Sequence, residues 1–207
     1  VTGSTRGIGF ATARLLAEEG ATVYVNGRNQ QSVDTAVKSI KEETGGNVEG
    51  VALDLSNAAG CNALLEAVPE VDILVNNLGI FNPVAFESIT DQEWEMFFQT
   101  NIMSGVRLSR HYIQKMRQQN WGRIVFISSE SGVQIPEEMI HYGMTKSAQI
   151  SIARGLAETT KGTGITVNSV LPGPTRSEGV ETFVQQVAEQ QGLSFDEMEK
   201  EFFNSAR

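Results

Sequence analysis

The chain has a single cysteine, Cys61, among 207 residues. That excludes an internal disulfide and fits a reducing, cytoplasmic setting. Histidine is scarce, with two residues, and no His/Cys/carboxylate cluster shows metal-ligand spacing, so no metal is expected. Basic residues are in deficit: 16 Lys and Arg against 25 Asp and Glu give a net charge of −9. This argues against nucleic acid as a general partner, although a pocket can still set its own field for a phosphate-bearing ligand. No apolar run approaches the ~18 residues of a membrane span, so no membrane partner is expected.

What is present is ordinary globular composition, with 40% hydrophobic and 20% charged residues, enough for one substantial core. Short β-branched runs such as ATVYVN, VEGVALDLS, DILVNN, GRIVFISS and ITVNSV alternate with longer segments of helical period. Strand–helix alternation of this kind implies βαβ units around a parallel sheet. The consecutive Ile124, Val125, Phe126 and Ile127 read as a strand buried on both faces. Thr90 with Glu93 is a capping-box signature for a long helix carrying Trp94, Phe97 and Phe98. Gly20, Gly45 and Gly162 fall where helices should stop. The expected fold is α/β: a doubly wound parallel sheet of Rossmann type, helices on both faces, in one domain over residues 1–207.

The stretch TGSTRGIG places Gly3, Gly7 and Gly9 between a strand ending near Val1 and a helix. The inward face of that helix is expected to be Ile8, Thr12, Leu15 and Leu16. A glycine-rich turn there lets backbone approach a diphosphate, with the helix N-terminus supplying N–H donors. Taken alone, the same turn is compatible with no ligand at all. Asp54 in VALDLS and Asn76 to Gly79 in NNLG fall at the carboxyl edge, where open α/β sheets bind ligands. Each alone also reads as a helix start or a capped turn. Tyr142 and Lys146 in YGMTK are four apart, so phenol and ammonium share one helix face. A nearby ammonium lowers a phenol's pKa and makes it a usable acid. Ser129, at the end of a strand, can offer its hydroxyl to the same substrate oxygen.

Together TGSTRGIG, LDLS, NNLG, Asn101 in FFQTNIM, Ser129, YGMTK and LPG at Leu171 to Gly173 run through the chain in order. The sequence resembles the short-chain dehydrogenase/reductase family in its compact form. The resemblance implies Tyr142 as general acid/base and Ser129 as the group that polarises a substrate carbonyl or hydroxyl. Lys146 would bind the nicotinamide ribose and depress the Tyr142 pKa, and Asn101 would hold a water in a proton relay. The cofactor cradle it implies comprises Gly3, Ser4, Thr5, Arg6, Gly7, Ile8, Gly9, Arg28, Asp54, Leu55, Asn77, Gly79, Tyr142, Lys146, Pro172, Gly173, Thr175 and Ser177. It also implies a first strand beginning before Val1, a last strand and helix after Arg207, and a homodimer or homotetramer joined through the long helices.

An acidic residue at the end of the second strand would favour NAD(H). Here that strand runs into Asn26, Gly27 and Arg28; Arg28, with Arg6, suits a 2′-phosphate, so NADP(H) is favoured and NAD(H) remains possible. Leu78 stands where the family usually has alanine. Residues 174–207 read as two charged helices with Phe183, Val184 and Val187 on one stripe and Met198, Phe202 and Phe203 on another. They are expected either as a lid or as surface helices. Gln134, Ile135, Met139 and His141 are placed to line the pocket, with His141 orienting or solvent-facing. The function expected is an oxidoreductase interconverting a small ketone or aldehyde and an alcohol. The alternatives are an epimerase or dehydratase sharing the Tyr/Lys pair, and a catalytically idle NADP-binding sensor or assembly subunit.

Overall fold

Strands and helices alternate along the chain, and the strands run in one direction. The computed structural model describes residues 1–175 and 178–204. Strands β1 (Val23–Gly27) and β2 (Val48–Ala52) pair in parallel with Val23 opposite Val48. A second parallel ladder joins β3 (Ile73–Asn76), β4 (Gly122–Ile127) and β5 (Ile165–Val170) in that order. The first residues of the chain run between the two ladders: Thr2 N donates to Val75 O at 3.0 Å and Ser4 N to Asn26 O at 2.8 Å. All five strands therefore end at one edge, as a parallel sheet requires.

Helices α1 (Gly7–Glu18), α2 (Gln30–Thr44), α3 (Ala58–Ala67), α4 (Asp91–Phe97), α5 (Ser104–Gln119) and α6 (Ile140–Glu158) form the crossovers. Local chemistry sets their ends. The Asn29 side chain accepts from Ser32 N at the start of α2, and Gly45 closes that helix in the left-handed region. Thr90 and Glu93 form the expected capping box of α4. The helix that follows is not uniform: a π-helical turn, Phe98–Met103, separates α4 from α5. Such turns shift the ladder by one residue and mark places where a side chain must be re-aimed.

The larger core packs Cys61 and Leu64 of α3, Leu108, Tyr112, Ile113 and Met116 of α5, and Ala153 of α6 against Leu74, Ile124, Phe126, Ile165 and Val167. A smaller one joins Ala13 and Ala17 of α1 and Ala36 and Ile40 of α2 to Val23, Val25 and Val48. The inward face expected for α1 needs correction: Gly9, Ala13 and Ala17 are buried, whereas Leu15 is 52% exposed. Small residues one turn apart let the helix axis approach β1 closely, and the bulkier leucine turns outward. Beyond Thr175, α7 (Glu178–Gln191) and α8 (Phe195–Asn204) pack on each other through Val184, Ala188 and Met198.

The buried Tyr112 hydroxyl donates to Val68 O at 2.7 Å, at the end of α3. Tyr112→Phe removes that bond at nearly constant volume and should cost about 1 kcal/mol. A thermal melt should show a Tm lower by about 2–4 °C; an unchanged Tm would contradict this reading.

Candidate active site

The glycine turn is built by conformation and by crowding. Gly3 and Gly7 both have φ +58°, a left-handed backbone that side-chain-bearing residues rarely adopt. At Gly9 a Cβ would come within 2.5 Å of both Asn77 Nδ2 and Gly3 O. Asn77 clamps the turn by donating from Nδ2 to Thr2 O and Gly3 O, both at 2.9 Å. The Thr2 hydroxyl accepts from the backbone N–H of Asn77 and of Leu78, each at 2.9 Å. From the other ladder, Asn26 Oδ1 accepts from Gly3 N at 3.2 Å, and Asn26 Nδ2 donates to Val51 O and Leu53 O. Arg6 is the N-cap residue of α1, and no side chain caps that helix. Its first N–H groups and their partial positive charge are left for an anion.

The second half of the site stands on β4 and α6. Ser129 follows β4, is 8% exposed and accepts from Ser131 N at 3.1 Å. Its hydroxyl stands beside that of Tyr142. Lys146, one turn after Tyr142, is 4% exposed; its Nζ donates to Ile127 O at 2.9 Å and to Gln149 Oε1 at 3.3 Å. Nζ lies 5.5 Å from the centroid of the Tyr142 ring. Burial pulls the Lys146 pKa down to about 8. Ser128 anchors this part of α6 to the sheet, donating from its hydroxyl to Lys146 O at 2.8 Å. A cleft of about 400 Å³ runs from Gly3, Gly7 and Gly9 past Asn77 and Gly79 to Ser129, Tyr142 and Lys146.

Most of the residues expected from the sequence converge here. Gly3, Arg6, Gly7, Ile8, Gly9, Asn77, Gly79, Ser129, Tyr142, Lys146, Pro172, Gly173 and Thr175 all line the cleft. Ser4 is buried beneath the turn, and Thr5 packs where a Gly27 Cβ would stand. Arg28 is exposed just beyond β1. Asp54 follows β2 and accepts from Ser56 N at 3.0 Å; the Leu55 side chain belongs to the core. Ser177 lies outside the described residues. Asn101 sits behind the cleft wall: Nδ2 donates to Ile80 O and Thr145 Oγ1, and Oδ1 accepts from Ile80 N. Its side chain thus ties the Gly79 loop to α6.

Three expectations change. Tyr142 has its pKa raised, first by burial and also by the Glu130 carboxylate, while the neighbouring Ser129 hydroxyl opposes both. Desolvation outweighs the expected help from Lys146, which gives its hydrogen bonds to other acceptors. His141 is fully buried on Phe97, ring centroids 4.0 Å apart, so it does not face solvent. Gln134 and Met139 line the cleft, but Ile135 and His141 do not, because Ile135 covers Gly143 and His141 points at α4. Sequence reasoning overlooked Asn26, Ser128, Thr145 and Gln149; buried polar residues amid apolar helix and strand positions were the available signal.

The chain belongs to the short-chain dehydrogenase family: the family described as short chain dehydrogenase matches residues 1–188. It is 48% identical to the uncharacterized oxidoreductase YvaG of Bacillus subtilis, over 100% of this chain and 79% of that protein. Among solved structures, L-sorbose reductase from Gluconobacter frateurii, complexed with NADPH and L-sorbose, aligns with TM-score 0.89 and 30% identity. That alignment covers 95% of this chain and 76% of the other. An actinorhodin polyketide ketoreductase with NADPH aligns with TM-score 0.87 and 30% identity, over 95% and 77% of the two chains.

An amine whose pKa is lower in the native state than in the unfolded chain binds its proton less well when folded. Lys146 therefore weakens the fold below pH about 8, and the penalty is relieved as pH rises from about 8 toward its ordinary value of 10.5. The Tm of the wild type relative to Lys146→Met should climb across that window. A pH-independent difference would contradict the burial of a charged amine.

Proposed function

We propose that the protein is an NADP(H)-dependent oxidoreductase that interconverts a ketone or aldehyde and an alcohol, with Tyr142 as general acid/base. The observation that carries this reading is the single cleft lined at one end by the Gly3–Gly9 turn and at the other by Ser129, Tyr142 and Lys146. The uncapped start of α1 suits a diphosphate. The space beside Gly79, where a Cβ would stand 3.4 Å from Lys146 Nζ, suits a ribose hydroxyl. When bound, the nicotinamide supplies the hydrogen and electron pair that a carbonyl carbon takes up.

The chain's own residues supply the rest. The Ser129 hydroxyl holds and polarises the substrate oxygen, and Tyr142 gives it a proton as the alcohol forms. In the reverse direction Tyr142 takes that proton back. Its raised pKa keeps the phenol protonated near neutral pH, which suits reduction. Lys146 offers positive charge one turn away. The cleft also carries the carboxylates Glu130 and Glu138, a field that fits neutral carbonyl compounds better than anionic ones. Support for NADP(H) comes from the NADPH held by the two similar solved reductases and from Arg6 and Arg28. Both are exposed, and among the described residues neither side chain has an ion pair or hydrogen bond.

The test is loss of reduced-nicotinamide absorbance with a panel of neutral ketones and aldehydes. Wild type should turn over some of them, and Tyr142→Phe should lose activity by roughly a hundredfold or more while still binding NADP(H). Tight NADP(H) binding without turnover of any substrate would instead favour a sensor. Arg28→Ala should weaken NADP(H) binding roughly tenfold or more, the scale of a charge-assisted hydrogen bond, and leave NAD(H) unaffected. Equal effects on both dinucleotides would contradict the assignment. Glu130→Gln removes a charge that raises the Tyr142 pKa, so alcohol oxidation should begin at lower pH than in wild type. An unmoved pH profile would contradict the electrostatic role of Glu130.

A further inference from the structure

We propose that Gln149 is a positioning residue for Lys146, its buried side-chain amide bridging the lysine ammonium and the π-helical turn that carries Asn101. Gln149 is 2% exposed and lies three residues after Lys146 on α6, so the two share a face. Its Oε1 accepts from Lys146 Nζ at 3.3 Å, and its Nε2 donates to Asn101 O at 2.6 Å. Only this orientation of the amide works. Flipped, it would set N–H donors against an ammonium and an oxygen against a carbonyl.

The consequence is directional. An ammonium has three N–H donors; Ile127 O and Gln149 Oε1 take two of them. The third is left for the cleft, where Gly79 and Tyr142 are the neighbours. A leucine at position 149 would fill similar space, but it would leave the buried ammonium one acceptor short and the Asn101 carbonyl without its amide donor. Among groups facing the ammonium, Tyr142 on the same helix is the titratable one. Strand β4 presents the Ile127 carbonyl, and the π turn and the Gly79 loop present amides. Glu130, after β4, acts on Tyr142, and His141 packs against the rings of Phe97 and Trp94.

The proposal rests on the role read above for Lys146, but its primary test needs no turnover. Protein with carbon-13-labelled lysine is titrated by NMR, the Lys146 signal being assigned by its loss in Lys146→Met. Gln149→Met removes the acceptor without changing volume and should lower the Lys146 midpoint from about 8. Gln149→Glu sets a carboxylate against the ammonium and should raise it. In turnover assays, the alkaline limb of the pH profile should move the same way in each variant. In both, kcat should fall roughly tenfold while KM for the carbonyl compound stays within about twofold. Melting temperatures establish that the variants are folded, and should Gln149→Met not fold, Gln149→Glu decides. A Lys146 titration unmoved in a folded variant overturns the proposal, whatever happens to kcat. So does a shifted titration with kcat unchanged.

Discussion

The rest of the structure depends on how a buried ammonium is housed at the carboxyl edge of the sheet. A charged amine out of water must find acceptors or lose its proton. Lys146 finds the carbonyl of Ile127, the last residue of β4, and the amide oxygen of Gln149. Ser128 adds a bond from its hydroxyl to the Lys146 backbone. These contacts fix where α6 lies along β4, and one turn earlier on the same helix they fix Tyr142 beside Ser129. The arrangement of Ser129, Tyr142 and Lys146 thus goes together with satisfying polar groups in an apolar interior.

The opposite wall of the cleft solves a related problem with backbone. The turn from Thr2 to Gly9 passes between two parallel ladders and is held from both: by Asn26 of β1 and by Asn77 after β3. Asn101 couples the two walls, because its side chain joins the Gly79 loop to Thr145 on α6.

Much of this was legible in the sequence, and the boundary of legibility has physical causes. Alternating periodicity exposed the parallel α/β order, and the Thr90/Glu93 cap is local, so it reads directly. Glycine spacing and the Tyr142/Lys146 interval brought together most of the cleft-lining residues, because one helical turn and one tight turn are short-range geometry. The roles of Asn26, Asn77 and Gln149 depend on partners 23 to 75 positions away, which no local pattern encodes. The Tyr142 pKa direction was misjudged for a related reason. Spacing shows the ammonium one turn away, whereas desolvation depends on everything packed around the phenol. Leu15 of α1 misled because a hydrophobic residue was expected inside, where close helix–strand approach selects Gly9, Ala13 and Ala17.

The central claim is that one dinucleotide spans both walls of the cleft. The most direct measurement is a crystal structure of the protein with NADP+. The expected result has the diphosphate on the Gly3–Gly9 turn at the start of α1 and the nicotinamide ribose within hydrogen-bond reach of Lys146 Nζ. A dinucleotide seated elsewhere, or one that leaves Lys146 and Tyr142 unengaged, would contradict the account.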